Sequence, residues 1–331
     1  MKNFSVAEPE NKKPPSGAAV PSALNASLAA FHLLSTLFLF FLVPLFLLPV
    51  SPWWGLAALG VGALSNSFWS LIHEAVHDML LSSRRINASA GRILGISFGS
   101  PFRVLRVSHL MHHKLNRSPL EGTELYDPSK TSRLRAGFAY FFQILGGLYL
   151  VEFLSAIFFL LPRKVLLPVK RRFEEKKTLT GMLLGILTKD EAVSEIRKDG
   201  IMALGVVVAS FYCYGGHWPW LGGALGLRAF LVSFLDNVYH YRTPVDDVWY
   251  ADNLWLPKWL SAILLHFNLH GVHHRNTTIP WIRLPEAFGM QAKEYDGNYF
   301  TAAARQLLGP ISIAQLAGVR RDASYVKVRP S

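Results

Sequence analysis

The chain has 331 residues, 51% of them hydrophobic, and its 34 Lys and Arg against 22 Asp and Glu give a net charge of +12 at pH 7. A mean hydropathy of +0.25 is too apolar for an ordinary soluble domain, so an integral membrane protein is expected, its basic excess suited to anionic lipid and not to nucleic acid. The single cysteine, Cys213, excludes disulfides, thiolate zinc sites and a self-contained iron–sulfur cluster.

In chain order, residues 1–27 form a polar, Pro-rich, Lys-bearing segment ahead of a single membrane domain over 28–331. The uncharged run at 28–50 is long enough to span a bilayer and too long for a signal-peptide core. A Ser-Pro-Trp-Trp turn at 51–54 places two tryptophans at the far interface. The run at 53–72 then returns and delivers His73 to the side on which the chain began. Ten Lys or Arg within 73–136 hold that loop in the cytoplasm. Runs at 201–216 and 218–235, joined by an uncharged turn, make a second hairpin that starts and ends inside. The stretch at 136–161 is also long enough to cross. A single crossing there, however, would put His240 on the opposite face from His109. We therefore expect a re-entrant or interfacial element bent at Gly146-Gly147, which also spares Glu152 a position in lipid. Residues 236–331 form a cytoplasmic cap that ends in a basic tail. The expected fold is all-α: about four transmembrane helices in two hairpins, one re-entrant or interfacial helix, and a cap carrying a histidine-rich dimetal site.

Nine of the twelve histidines carry that last expectation. They read HEAVH (His73, His77), HLMHH (His109, His112, His113), HGVHH (His270, His273, His274) and a lone His240 in DNVYHY. Imidazole is the commonest protein metal ligand, and so many candidates exceed the needs of one ion, so two ions are implied. His73 and His77, four apart, share a helix face. Within each HxxHH group the first and fourth positions are expected on one face and the fifth about 100° away, so that each group serves both ions. His32, His217 and His266 are expected to be structural. Glu74, Asp78, Asp236, Asn237 and Asn268 are candidates to orient the imidazoles from behind. Arg103, Arg106 and Lys114 flank the second group and suit either a membrane surface or an anionic head group.

HEAVH is also the zincin pattern, in which two histidines hold zinc and the glutamate activates water. An intramembrane zinc protease is the rival reading, but it would leave both HxxHH groups and His240 idle. Soluble di-iron bundles use several carboxylates, whereas Glu74 and His77 form only one Glu-x-x-His pair here. All-imidazole coordination fits iron, zinc or copper.

The order HxxxH, HxxHH and late HxxHH, on loops between paired spans, resembles the membrane fatty acid desaturase and hydroxylase superfamily over roughly 30–280. The resemblance implies a non-haem di-iron centre with His73, His77, His109, His112, His113, His270, His273 and His274 as ligands and His240 as an additional one. Asn237-Val-Tyr-His240-Tyr is faintly similar to the alkane hydroxylase box but lacks its glutamate, and no HPGG signature of a fused cytochrome b5 domain occurs. The implied activity is an oxidoreductase of a bacterial-type inner membrane, most simply a fatty acyl desaturase. It would use O2, a long-chain acyl substrate and an external electron donor of ferredoxin, rubredoxin or cytochrome b5 type. Hydroxylation and oxidative decarboxylation to a terminal alkene are the alternatives within the superfamily.

Overall fold

The computed structural model describes residues 19–245, 247–291 and 294–319, so most of the polar segment at 1–27 and the basic tail lie outside the described residues. Helix α1 (Ser22–Leu47) begins earlier than the expected span and contains Pro44. Its second half, Phe38–Leu47, winds as a π-helix, whose wider turn lets the chain pass the missing amide hydrogen. Helix α2 (Pro52–Val76) starts at Pro52, a residue suited to a first helical position, with Ser51 accepting from Trp53 N. Helices α3 (Arg84–Phe98) and α4 (Phe102–Leu115) follow, separated by Gly99 in the left-handed conformation.

Next come the bent helix α5 (Arg133–Phe158), α6 (Arg163–Glu175), α7 (Leu179–Leu187), α8 (Asp190–Tyr214) and α9 (Trp218–Asp236). The cap adds the short helices α10 (Lys258–Ile263), α11 (His270–Arg275), α12 (Leu284–Gln291), α13 (Tyr299–Arg305) and α14 (Ile313–Val319). Two parallel pairs of two-residue strands tie it together: Leu125–Tyr126 with Ile311–Ser312, and Leu254–Trp255 with Gly297–Asn298.

Four helical stretches are long and apolar enough to cross a membrane: Ser22–Leu47, Pro52–Val76, Arg133–Phe158 and Asp190–Tyr239. The last is folded at Gly215–His217 into α8 and α9. The all-helical membrane architecture is therefore present. The stretch expected to be re-entrant also meets the length and composition of a span. Large apolar side chains such as Phe46, Phe138, Val151 and Val208 are exposed, the inverse of a soluble protein's surface.

Helix α5 turns sharply at Gly146 (φ +139°), which lies against Ala229 of α9. Before the bend, Tyr140 donates to Gln306 O at 2.9 Å and Gln143 to Thr123 Oγ1 at 3.1 Å. After it, Tyr149 N donates to Ser233 Oγ at 3.1 Å, and Arg197 donates to Phe159 O at 2.8 Å. Contacts thus advance from Ala229 to Ser233 as α5 advances from Gly146 to Tyr149, and the second limb rises beside α9 towards Asp236.

The largest apolar cluster joins α2, α3, α4 and α9 to the cap through Leu71, Ile72, Leu105, Val232, Leu254 and Val272. Arg228, buried within α9, donates to Phe98 O at 3.0 Å, so its charge faces the carbonyl end of α3.

Candidate metal centre

His73 lies in the last turn of α2, and His77 caps that helix. Two buried asparagines fix the chain beyond it. Asn87 accepts from Leu80 N and Leu81 N, both at 3.1 Å, and donates to Ala75 O at 2.9 Å. Asn25 of α1 donates to Leu80 O at 2.9 Å and accepts from Trp281 Nε1 at 2.9 Å. Asn25 falls within the segment expected to be a polar lead-in, but it is a fully buried tie between α1 and the first histidine group.

Helix α4 carries His109, His112 and His113, and α11 carries His270, His273 and His274. Gly271 is required in α11, because a Cβ there would fall 2.3 Å from Ala251 O. His240 follows α9 through one 3₁₀ turn.

These nine side chains converge into two groups: His73, His77, His109, His113 and His273, and then His112, His240, His270 and His274. Within each group one ligand nitrogen per residue lies within 4.8 Å of all the others. His109 and His113 approach at 2.9 Å through Nε2, His113 and His273 at 3.1 Å, and His270 and His274 at 3.1 Å. Each HxxHH motif is split between the groups, but not as first and fourth against fifth. His109 joins His113 and His270 joins His274, leaving His112 and His273 to cross over. The reason is helical geometry: i and i+4 differ by about 40° around the axis, and i and i+3 by about 60°. His32, which stacks on Phe68, and His217 and His266 belong to neither group.

Burial in this cluster pushes His109, His113, His240, His270 and His274 well below the ordinary imidazole range, and His273 to about 3. Neutral imidazole is the ligating form. His112 is the exception: burial lowers it, but the Glu121 carboxylate more than offsets this and raises it. Glu121 Oε1 lies 2.5 Å from His112 Nδ1, and the Asn116 amide lies 3.4 Å from His274 Nδ1. Both residues follow the second histidine group on a loop, where no periodicity marks them.

The orienting residues expected from sequence have other partners among the described residues. Glu74 accepts from Trp281 N at 3.2 Å, and Asp78 pairs with Arg106 at 2.8 Å. Asn237 donates to Gln306 at 2.7 Å, while Asn268 bonds Ser261 and Leu254 O. These contacts tie the segments around the histidines to neighbouring parts of the fold. Only Asp236 faces His112, within electrostatic reach. Arg103 is also committed, to Glu195 at 2.8 Å.

The donor set fits metal ions. Among the described residues His73 Nε2, His77 Nε2 and both ring nitrogens of His240 are buried without a hydrogen-bond partner, a costly state that coordination would relieve. Beside the groups opens a cavity of about 510 Å³, within the usual range for a small-molecule site, with His109, His112 and His240 on its wall.

No curated protein matches the chain. The family model described as fatty acid desaturase matches residues 49–303, a stretch that contains all nine clustered histidines. The chain belongs to the fatty acid desaturase family.

Proposed function

We propose that this protein is a membrane di-iron oxidase that desaturates a long-chain fatty acyl substrate with O2 and two electrons from an external ferredoxin, rubredoxin or cytochrome b5-type donor. The observation that carries the reading is the convergence of nine imidazoles into two adjacent groups beside an apolar cavity. His73, His77, His109, His113 and His273 would hold one iron, and His112, His240, His270 and His274 the other.

The iron pair, when bound, supplies the O2 activation that removes hydrogen from an unactivated methylene. Overall, R–CH2–CH2–R′, O2, two protons and two electrons give R–CH=CH–R′ and two waters. The chain's own residues do the remaining work. Glu121 holds the His112 ring so that Nε2 is the nitrogen presented to its group. Val104, Leu148, Val232 and Leu184 on the cavity wall exclude water and restrict an alkyl chain to few positions, which sets the carbon that reacts.

The two-hairpin arrangement would lie in a bacterial inner membrane with the histidines at the cytoplasmic face, and the contacts of α5 support only the re-entrant reading of 136–161. Before the bend Tyr140 meets Gln306 of the cap, and after it the second limb runs beside α9 towards Asp236, with Tyr149 N donating to Ser233. Glu74 is turned to the Trp281 amide, which does not suit the general base of a zinc protease. The deciding experiment is metal analysis of the purified protein together with mass spectrometry of lipids in an expressing host. About two irons per chain and new unsaturation are expected. A single zinc and peptide fragments would refute the proposal.

A further inference from the structure

The cavity beside the histidines has most of its polar lining at one end. Around His112 and His240 its wall carries Asn116, Glu121, Thr123, Gln143 and Asn237. Its other end is formed by Phe158, Phe159, Val169, Phe173, Leu184 and Leu187, where α6 and α7 close over α5. One face of α5 runs along the cavity through Leu148, Glu152, Ser155 and Phe159, at helical spacing. Gln143, bonded to Thr123, lies on the wall shared with Glu121, and Phe159 packs with Leu184 and Leu187 on the wall under α6 and α7.

Two buried carboxylate oxygens on this wall, Glu121 Oε2 and Glu152 Oε2, have no hydrogen-bond partner among the described residues. Asp236 faces the same space. Arg117 is the only Arg or Lys among the wall's described residues, and it is committed to Glu124 at 2.9 Å and to Thr243 O at 2.8 Å. A hydrogen-bond donor in this space would satisfy an orphaned oxygen.

Resting on the function proposed above, we infer that the substrate lies head-first at the histidine end. A small hydrogen-bond-donating head, hydroxyl or protonated carboxyl, is received by Glu152 and Glu121, and the alkyl tail ends under α6 and α7. The carbon that loses hydrogen is then among the first few counted from the head, and the Phe159–Leu184–Leu187 wall limits chain length instead of setting the reacting position.

The test uses the full chain in lipid nanodiscs and two palmitic acid probes, one with a diazirine at the methyl end and one with it beside the carboxyl. Irradiation and peptide mapping should place methyl-end adducts within 163–187 and head-end adducts within 121–124 or 143–155. Palmityl alcohol should compete. The reversed pattern, or adducts in neither set, overturns the inference. Leu184→Trp, with Leu187→Phe as the milder variant, should shift preference to shorter chains while the modified carbon, counted from the head, stays the same. Oxidation at a fixed distance from the methyl end would overturn head-first binding and leave fatty acyl oxidation standing. Absence of any fatty acyl oxidation by iron-loaded wild type would overturn the proposed function itself.

Discussion

His112 Nδ1 lies 2.5 Å from Glu121 Oε1, while the opposite nitrogen of the same ring, Nε2, lies 3.3 Å from Nε2 of His274. One carboxylate therefore fixes which nitrogen of His112 faces its group, and it lies on a loop outside every histidine motif. Replacing it with glutamine keeps the shape and removes the charge. Glu121→Gln should lower metal affinity or turnover by about 10- to 100-fold, the usual effect of losing a partner behind a ligand. Unchanged iron content and turnover would show that the contact is incidental.

The two histidine groups predict separable metal losses. His240→Ala removes one of four imidazoles from its group and leaves the five-membered group intact, so iron should fall from about two towards about one per chain with activity lost. Glu74→Gln should retain both irons, because the Glu74 carboxylate is engaged with Trp281 N. Metal analysis of the two variants side by side checks this. Loss of activity in Glu74→Gln with full metal, beside an unaffected His240→Ala, would return the protease reading.

Gly271 lies where the backbone of α11 meets Ala251, with no room for a side chain. Gly271→Ala must displace the helix that carries His270, His273 and His274. It should cost about 1–3 kcal/mol of stability, as overpacking does, and deplete both metals. Thermal unfolding in detergent with metal analysis reads both effects, and a wild-type result in each would contradict the close approach.

Metal removal has its own expected signature. Stripping the ions returns His73, His77 and His240 to buried nitrogens without partners, so chelation should lower the melting temperature and iron should restore it. A melting temperature indifferent to both would mean that the cluster does not bind metal.

Topology is tested by cysteine accessibility in a background lacking Cys213. Lys176 and Lys189 are exposed near the ends of α6 and α7, and cysteines there should label only from the histidine side. Labelling solely from the other side would require α5 to cross the membrane.

Composition and motif spacing alone determined the membrane class, the nine clustered histidines and the need for two groups, because hydropathy and i, i+4 placement are local properties. The helical bend was also legible, since Gly146-Gly147 and Glu152 argue against a straight lipid-facing helix. Tertiary structure decided the rest. The i, i+4 pairs His109–His113 and His270–His274 follow from helical geometry, but which other histidines each pair meets depends on how α4 and α11 face each other. Glu121, Asn116 and Asn25 reach their partners across the fold, so no spacing in the chain announces them. Glu74, Asp78, Asn237 and Asn268 lie near the ligands in sequence, but their side chains meet partners on other segments that only packing brings close. The head-to-tail polarity of the cavity likewise arises where α5, α6, α7 and the 121–124 loop enclose one space, a relation carried by no single segment.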